Sequence, residues 1–374
     1  MPIPVQQYQY NYPPPSVPVR PFPAKQRPRV VRKRPTLVNR LVSLMFILSL
    51  GIFVLPTAFQ KITLSFWYGS QYPYVKTDYH NLRFPTSNYV SNHWSLGERS
   101  LRGSAKKPLM MPLQEQNRLS GLENQLQNLA KQYPEIEPAI YVFDFENGNY
   151  AGINQDKSFA AASIIKLPVL VHLFRSIEAG QFTISDEMPL TEVYRSEGSG
   201  SLQFKGDSIY TIDDLARLMI TESDNSSTNM LIAKLGSMND VNHGIREWGL
   251  GKTYLRTWLP DLDGTNRTTA AELAAILYNI DNPDFLSVSS REKIFDYMGH
   301  VENHRLVEAG LGAGAVFMHK TGDIGKMLGD AGIVFAPNGK RYIVVILANR
   351  PHNSPLGKDF IVKASEIIYN KMVK

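Results

Sequence analysis

No cysteine occurs among the 374 residues, which excludes disulfide scaffolds, thiolate metal sites and a cysteine nucleophile together. Acidic residues are absent from one whole stretch. Residues 1–40 hold eight of the 40 Lys and Arg and no Asp or Glu, so from residue 41 onward the chain carries 32 basic against 34 acidic residues. The formal charge of +6 therefore belongs to a short tail. Nucleic-acid binding is not expected, since it needs basic residues spread over the folded surface that meets phosphate. At 43% hydrophobic and 20% charged residues, the chain as a whole is neither disordered nor collagen-like.

The basic tail holds ten of the 24 prolines, with runs such as Pro13-Pro14-Pro15, and cannot assemble an apolar face. Residues 1–40 read as a disordered cytoplasmic tail. Directly after them, residues 41–59 (LVSLMFILSLGIFVLPTAF) carry no charge. At 1.5 Å per residue such a helix covers about 28 Å, enough to cross a bilayer core. A cleavable signal usually has a short n-region and a small-x-small site. Here the n-region is 40 residues long and the run ends Pro56-Thr57-Ala58-Phe59. The expectation is an uncleaved single-pass anchor in the bacterial inner membrane, with the basic flank inside and everything after Phe59 periplasmic or extracellular. Residues 60–110 show no sustained period and read as a linker.

From Met111 to Lys374 the texture is that of one folded domain without internal repeats. Leu119, Leu122, Leu126 and Leu129 keep helical spacing up to Pro134. Residues 139–145 and the stretch after Asn147-Gly148 predict a hairpin. The middle is helical by pattern over 163–179, 212–221 with Thr211 as N-cap, 226–235 and 269–279. Apolar runs at 315–319, 331–335 and 342–347 then predict strands, and a helix over 356–372 closes the chain. The fold class expected is α/β of the α+β type: an antiparallel sheet completed by both termini and packed with helices, plus an all-helical subdomain.

Three short motifs carry chemistry. In Ser163-Ile164-Ile165-Lys166 the first and last residues share a helix face, so a partly desolvated Lys166 amine can take the Ser163 proton. An N-cap serine beside a surface lysine would read the same way, so the other two motifs decide the matter. Ser223-Asp224-Asn225, between two helices, supplies a hydroxyl that can relay a proton and an amide that can hold a substrate. Lys320-Thr321-Gly322 follows an apolar strand, with a cation and a hydroxyl suited to a carboxylate and a glycine that lets an extended substrate lie close to the strand.

This ordered set, at intervals of about 60 and 100 residues, resembles that of the class A β-lactamases and penicillin-binding proteins. The resemblance runs from about Met111 to Lys374. It includes Phe159–Lys166, Ile220–Asn225 and Asn266–Ala274, the last of which resembles the helix start after the family's omega loop. It implies acyl transfer without metal or cofactor: Ser163 attacks a β-lactam amide with help from Lys166, and the backbone N–H groups of Ser163 and Asp323 form the oxyanion hole. Ser223 protonates the departing nitrogen, Asn225 holds Lys166 and the substrate side chain, and Lys320 with Thr321 binds the carboxylate. The partners implied are a β-lactam or a peptidoglycan stem peptide, met by a monomeric catalytic domain.

The omega loop departs from that pattern. The family's Trp/x-Glu-Pro-x-Leu-Asn stands here as Trp258-Leu259-Pro260-Asp261-Leu262-Asp263, and leucine cannot act as the deacylating base. Asp261 and Asp263 are the candidate substitutes. With a substitute the protein hydrolyses β-lactams, which is the first expectation. Without one the acyl-enzyme persists, as in a penicillin-binding D-Ala-D-Ala peptidase. A non-catalytic envelope sensor or scaffold is a third reading, opposed by the intact motif set. Ala331 aligns where many members carry a carboxylate-binding Arg, with Arg350 as a stand-in. His300 and His304 stand at i, i+4, but no third ligand is evident, so no metal site is read there. Glu197-Gly198-Ser199-Gly200-Ser201 lacks the Gly-Lys-Ser/Thr of a phosphate loop and reads as an edge of the cleft.

Overall fold

The computed structural model describes residues 110–373. The basic tail, the 41–59 run and the linker up to residue 109 lie outside the described residues, among which no helix is long and apolar enough to cross a membrane.

The sheet follows from where the apolar runs are placed. Strands β1 (Glu137–Asp144) and β2 (Tyr150–Ile153) form the expected hairpin, with Gly148 at φ +71° in the turn. Strands β7 (Val316–Asp323), β8 (Met327–Phe335) and β9 (Arg341–Asn349) come from the other end of the chain. The spatial order is β2-β1-β9-β8-β7, antiparallel throughout. The first strand thus pairs with the last, Glu137 opposite Asn349 and Asp144 opposite Tyr342.

One face of this sheet packs against α1 (Ser120–Gln132) and α8 (Leu356–Val373) through Leu122, Leu126, Val142, Val344, Phe360 and Ile368. Helix α6 (Ala270–Ile280) covers the other, setting Tyr278 edge-on to Phe143 at 5.4 Å. Because both faces are covered, the strands read as continuous apolar runs rather than alternating ones.

The all-helical half is built around α2 (Lys166–Glu178), most of whose residues are buried. Around it stand α3 (Ile212–Thr221), α4 (Asn225–Lys234), α5 (Met238–Glu247), α6 and α7 (Val288–Met298). Thr211 caps α3 with a full capping box, its side chain accepting from Asp214 N while Asp214 accepts from Thr211 N. Asp224 caps α4 by accepting from Ser227 N. Helices α5 and α7 and the two-stranded ribbons β3 (Phe159–Ala160) with β6 (Arg267–Thr268) and β4 (Glu187–Leu190) with β5 (Ser208–Thr211) were not expected from pattern. The described domain is an α+β fold with eight helices and a five-stranded antiparallel sheet.

Candidate active site

Ser163 sits where three pieces of chain meet. It lies in a 3-10 turn, Ala162–Ile165, that precedes α2 rather than inside the helix itself. Ala162, just before it, has φ +45°, and Ser223 has φ +59°. Left-handed backbone at a residue with a Cβ costs about 1–2 kcal/mol, so the surrounding packing holds both motif segments in these conformations.

Gly322 explains how the turn reaches β7. A Cβ there would lie 2.9 Å from Ile164 Cγ1, 3.1 Å from Ala162 Cβ and 3.2 Å from Ala161 O. The glycine thus brings the strand against the Ser163 turn, a more local reason than the room for substrate expected from sequence.

Lys166 is fully buried. Its Nζ donates to Ser223 O at 2.5 Å, Ser223 Oγ at 3.1 Å and Asn225 Oδ1 at 2.9 Å, so one ammonium joins the first two motifs. Burial holds the Lys166 amine well below the ordinary lysine range, the charge of Lys320 lowers it further, and Asp224 opposes both. Lys320 is also fully buried; its Nζ donates to Thr321 O at 3.1 Å. Burial lowers it from 10.5 to about 8, against the pull of Asp330. The site therefore carries one amine readily freed of its proton and a second cation close enough to be felt by the first.

The loop edges clamp the start of α4. Asn225 N donates to Ser199 O at 3.0 Å and Asn225 Nδ2 to Glu197 O at 2.9 Å, which places the Glu197–Ser201 loop beside the motif residues as expected. Gly200, at φ +98°, lies against Asp224, whose atoms a Cβ would overlap. One turn on, Asn229 grips the backbone of Leu259: Leu259 N donates to Asn229 Oδ1 at 3.0 Å and Asn229 Nδ2 to Leu259 O at 2.8 Å. Ser196 Oγ also donates to Leu259 O. Asn225 and Asn229, at i and i+4, share a face of α4. Leu259 is thus held one helical turn from the amide that binds Lys166.

The two aspartates offered as substitute bases differ in their surroundings. Asp261 is buried and its carboxylate accepts from Thr265 N at 2.9 Å, Thr265 Oγ1 at 3.0 Å and Asn266 N at 2.6 Å. That carboxylate braces its own loop. Asp263 is exposed and is not joined to Ser163, Lys166 or Ser223.

Arg350 does not stand free for a substrate carboxylate. Its Nη2 donates to Asp323 Oδ1 at 2.5 Å and its Nε to Gly325 O at 2.8 Å, fixing the end of β7. Ala331 stands opposite Lys320 in the β7–β8 register. His300 and His304 do not act as a pair: His300 faces the Asp296 backbone carbonyl and His304 faces Glu308. Sequence reasoning missed Ser196, Asn229 and the Arg350–Asp323 pair. Only Asn229 left a signal, four residues after Asn225.

Comparison with known proteins places the chain in a family. The family model described as the beta-lactamase enzyme family matches residues 121–372. The solved structure of PBP-A is 37% identical to this chain, with a TM-score of 0.68 over 69% of this chain and 98% of that one. A leucine-to-glutamate mutant of PBP-A, solved as an acyl-enzyme complex with penicillin G, is 36% identical. Beta-lactamase ROB-1 of Haemophilus influenzae is 25% identical over 266 residues, 66% of this chain and 83% of that one. An ancestral class A beta-lactamase at 22% identity and a TM-score of 0.63 shares the fold. The chain, from the motif set through the sheet to the buried lysines, belongs to the beta-lactamase enzyme family.

Proposed function

We propose that this protein is a penicillin-binding serine acyltransferase: Ser163 is acylated by β-lactams and by the D-Ala-D-Ala ends of cell-wall peptides, and the β-lactam ester is released slowly. The observation that carries this reading is the burial of Lys166 against Ser223 and Asn225 beside a Leu259 that offers no base. A lysine whose burial favours the neutral amine can take the Ser163 proton as Oγ bonds to the carbonyl carbon. The C–N bond then breaks, and Ser223 returns a proton to the departing nitrogen. Lys320 and Thr321 bind the substrate carboxylate, while the backbone N–H groups of Ser163 and Asp323 receive the oxyanion. Hydrolysis of the ester needs a water and a base. Leu259 supplies none, Asp261 is committed to three loop hydrogen bonds, and Asp263 is exposed. The likeness to PBP-A, whose leucine-to-glutamate mutant was solved as an acyl-enzyme complex with penicillin G, supports acylation by β-lactams. The uncharged run at 41–59 behind a basic tail supports an inner-membrane anchor with the domain outside, where cell-wall peptides are found.

Intact-protein mass spectrometry of the full chain mixed with benzylpenicillin tests this. The expected result is a gain equal to the whole mass of the drug, since ring opening loses no atoms, mapped to Ser163 and persisting after excess drug is removed. Rapid clearance with drug hydrolysis would restore the β-lactamase reading, and the absence of any adduct would support a scaffold.

A further inference from the structure

We infer that His304, Glu308 and His319 form a zinc-binding site on the outer edge of the sheet, separate from the serine centre. The three come from different segments: His304 precedes the 3-10 turn Val307–Gly310, Glu308 lies in it, and His319 is on β7. Their ligand atoms all fall within 4.8 Å of one another. Glu308 Oε2 is 2.6 Å from His304 Nδ1 and 3.7 Å from His319 Nε2. Tetrahedral zinc with bonds of 2.0–2.1 Å sets its ligands about 3.3 Å apart, so small side-chain rotations suffice.

His319 supplies the observation that points to a ligand. It is 1% exposed, and its Nε2 is buried without a hydrogen-bond partner. Its other nitrogen is committed, with Nδ1 2.8 Å from Asp330 Oδ1 on the neighbouring strand β8. With the proton on Nδ1 donated to that carboxylate, Nε2 presents a bare lone pair to Glu308, an arrangement that is repulsive until a cation lies between them. A carboxylate behind a histidine, fixing its tautomer and turning the free nitrogen outward, is the usual support of a metal-bound imidazole.

The surroundings look built for this. Asp330 Oδ2 accepts from Val307 N at 3.2 Å, so one carboxylate orients His319 and anchors the turn that carries Glu308. Gly332 stands opposite His319, where a Cβ would come within 2.6 Å of His319 Cβ. Phe317 stacks on the imidazole with centroids 4.4 Å apart. Two imidazoles and one carboxylate, with no sulfur and with His304 and Glu308 partly open to solvent, suit zinc with water as fourth ligand. Bound there, the ion would tie the 300–311 segment to β7, next in sequence to Lys320.

The test uses the untagged full chain, stripped with a chelator and titrated with zinc chloride. Expected are one zinc per chain and a melting midpoint about 5 °C higher when free zinc is 100 times the dissociation constant. The substitutions His304→Ala and Glu308→Gln, at partly exposed positions, should each weaken binding at least about 100-fold, while Asp330→Asn should cost about 10- to 100-fold. His300→Ala should change nothing. No zinc bound at micromolar concentration would overturn the site. Zinc bound equally by His304→Ala, or lost in His300→Ala, would overturn it as well.

Discussion

Two fully buried lysines give the protein an unusual dependence on pH. Lys320 titrates near 8 in the fold against an ordinary 10.5, so between those values the unfolded chain binds more protons than the folded one. Stability must then rise with pH across that window. At 1.36 kcal/mol per pH unit the full burden of folding Lys320 near neutral pH is about 3 kcal/mol, of which about 2 kcal/mol is relieved between pH 7.5 and 9.5. Lys166, shifted in the same direction, adds to the trend. The buried tyrosines Tyr141, Tyr297 and Tyr342 are pushed above their ordinary value of 10, so they oppose it only at higher pH. For a domain of this size 2 kcal/mol raises the melting midpoint by about 4 °C. Thermal melts at pH 7.5, 8.5 and 9.5 at one ionic strength measure it, with Lys320→Met as control, because an apolar side chain of similar length removes the group while keeping its volume. A flat or falling midpoint in the wild type, or an undiminished slope in the variant, would refute the assignment of a strained cation to this position.

Three further outcomes follow from the site. Leu259→Glu should speed loss of the benzylpenicillin adduct by about 100-fold by supplying a base near the acyl carbonyl, while lowering stability by about 2 kcal/mol for the lost apolar burial; adduct lifetime and chemical denaturation read the two effects separately. Gly322→Ala should push β7 off the nucleophile turn, costing about 1–3 kcal/mol and slowing acylation at least about 10-fold; stopped-flow acylation and circular dichroism check rate and fold. Asp261→Ala leaves the backbone N–H groups of Thr265 and Asn266 without their acceptor and should cost about 2–3 kcal/mol, measured by urea unfolding, with loss of Ser163 acylation only as far as the loop loosens.

The motif residues were legible because short spacing rules bind them. Thr211 capped its helix as expected, and the Asn147-Gly148 and Pro337-Asn338-Gly339 turns sit between β1 and β2 and between β8 and β9. Helix α7 was hidden because Val288–Met298 has a weak apolar stripe, with buried residues at Ser290, Ile294, Phe295, Tyr297 and Met298. The role of Asp261 was invisible for a different reason. A carboxylate in the right stretch of sequence reads as a base until its hydrogen bonds to Thr265 and Asn266 are seen. Likewise His319 lies 15 residues from His304, and only the return of β7 past the 300–311 segment brings them together.

The sheet's strand order has a consequence for how the chain is made. Strand β9, the last in sequence, is the middle strand of five. Before it arrives, β1–β2 and β7–β8 are two separate ribbons with no hydrogen bonds between them, and closure requires pairing Glu137 with Asn349. Such long-range closure is slow. Synthesis must therefore have passed Asn349 before the five-stranded sheet exists, and a chain halted before Arg341 would present two unpaired edges where the folded domain has its centre.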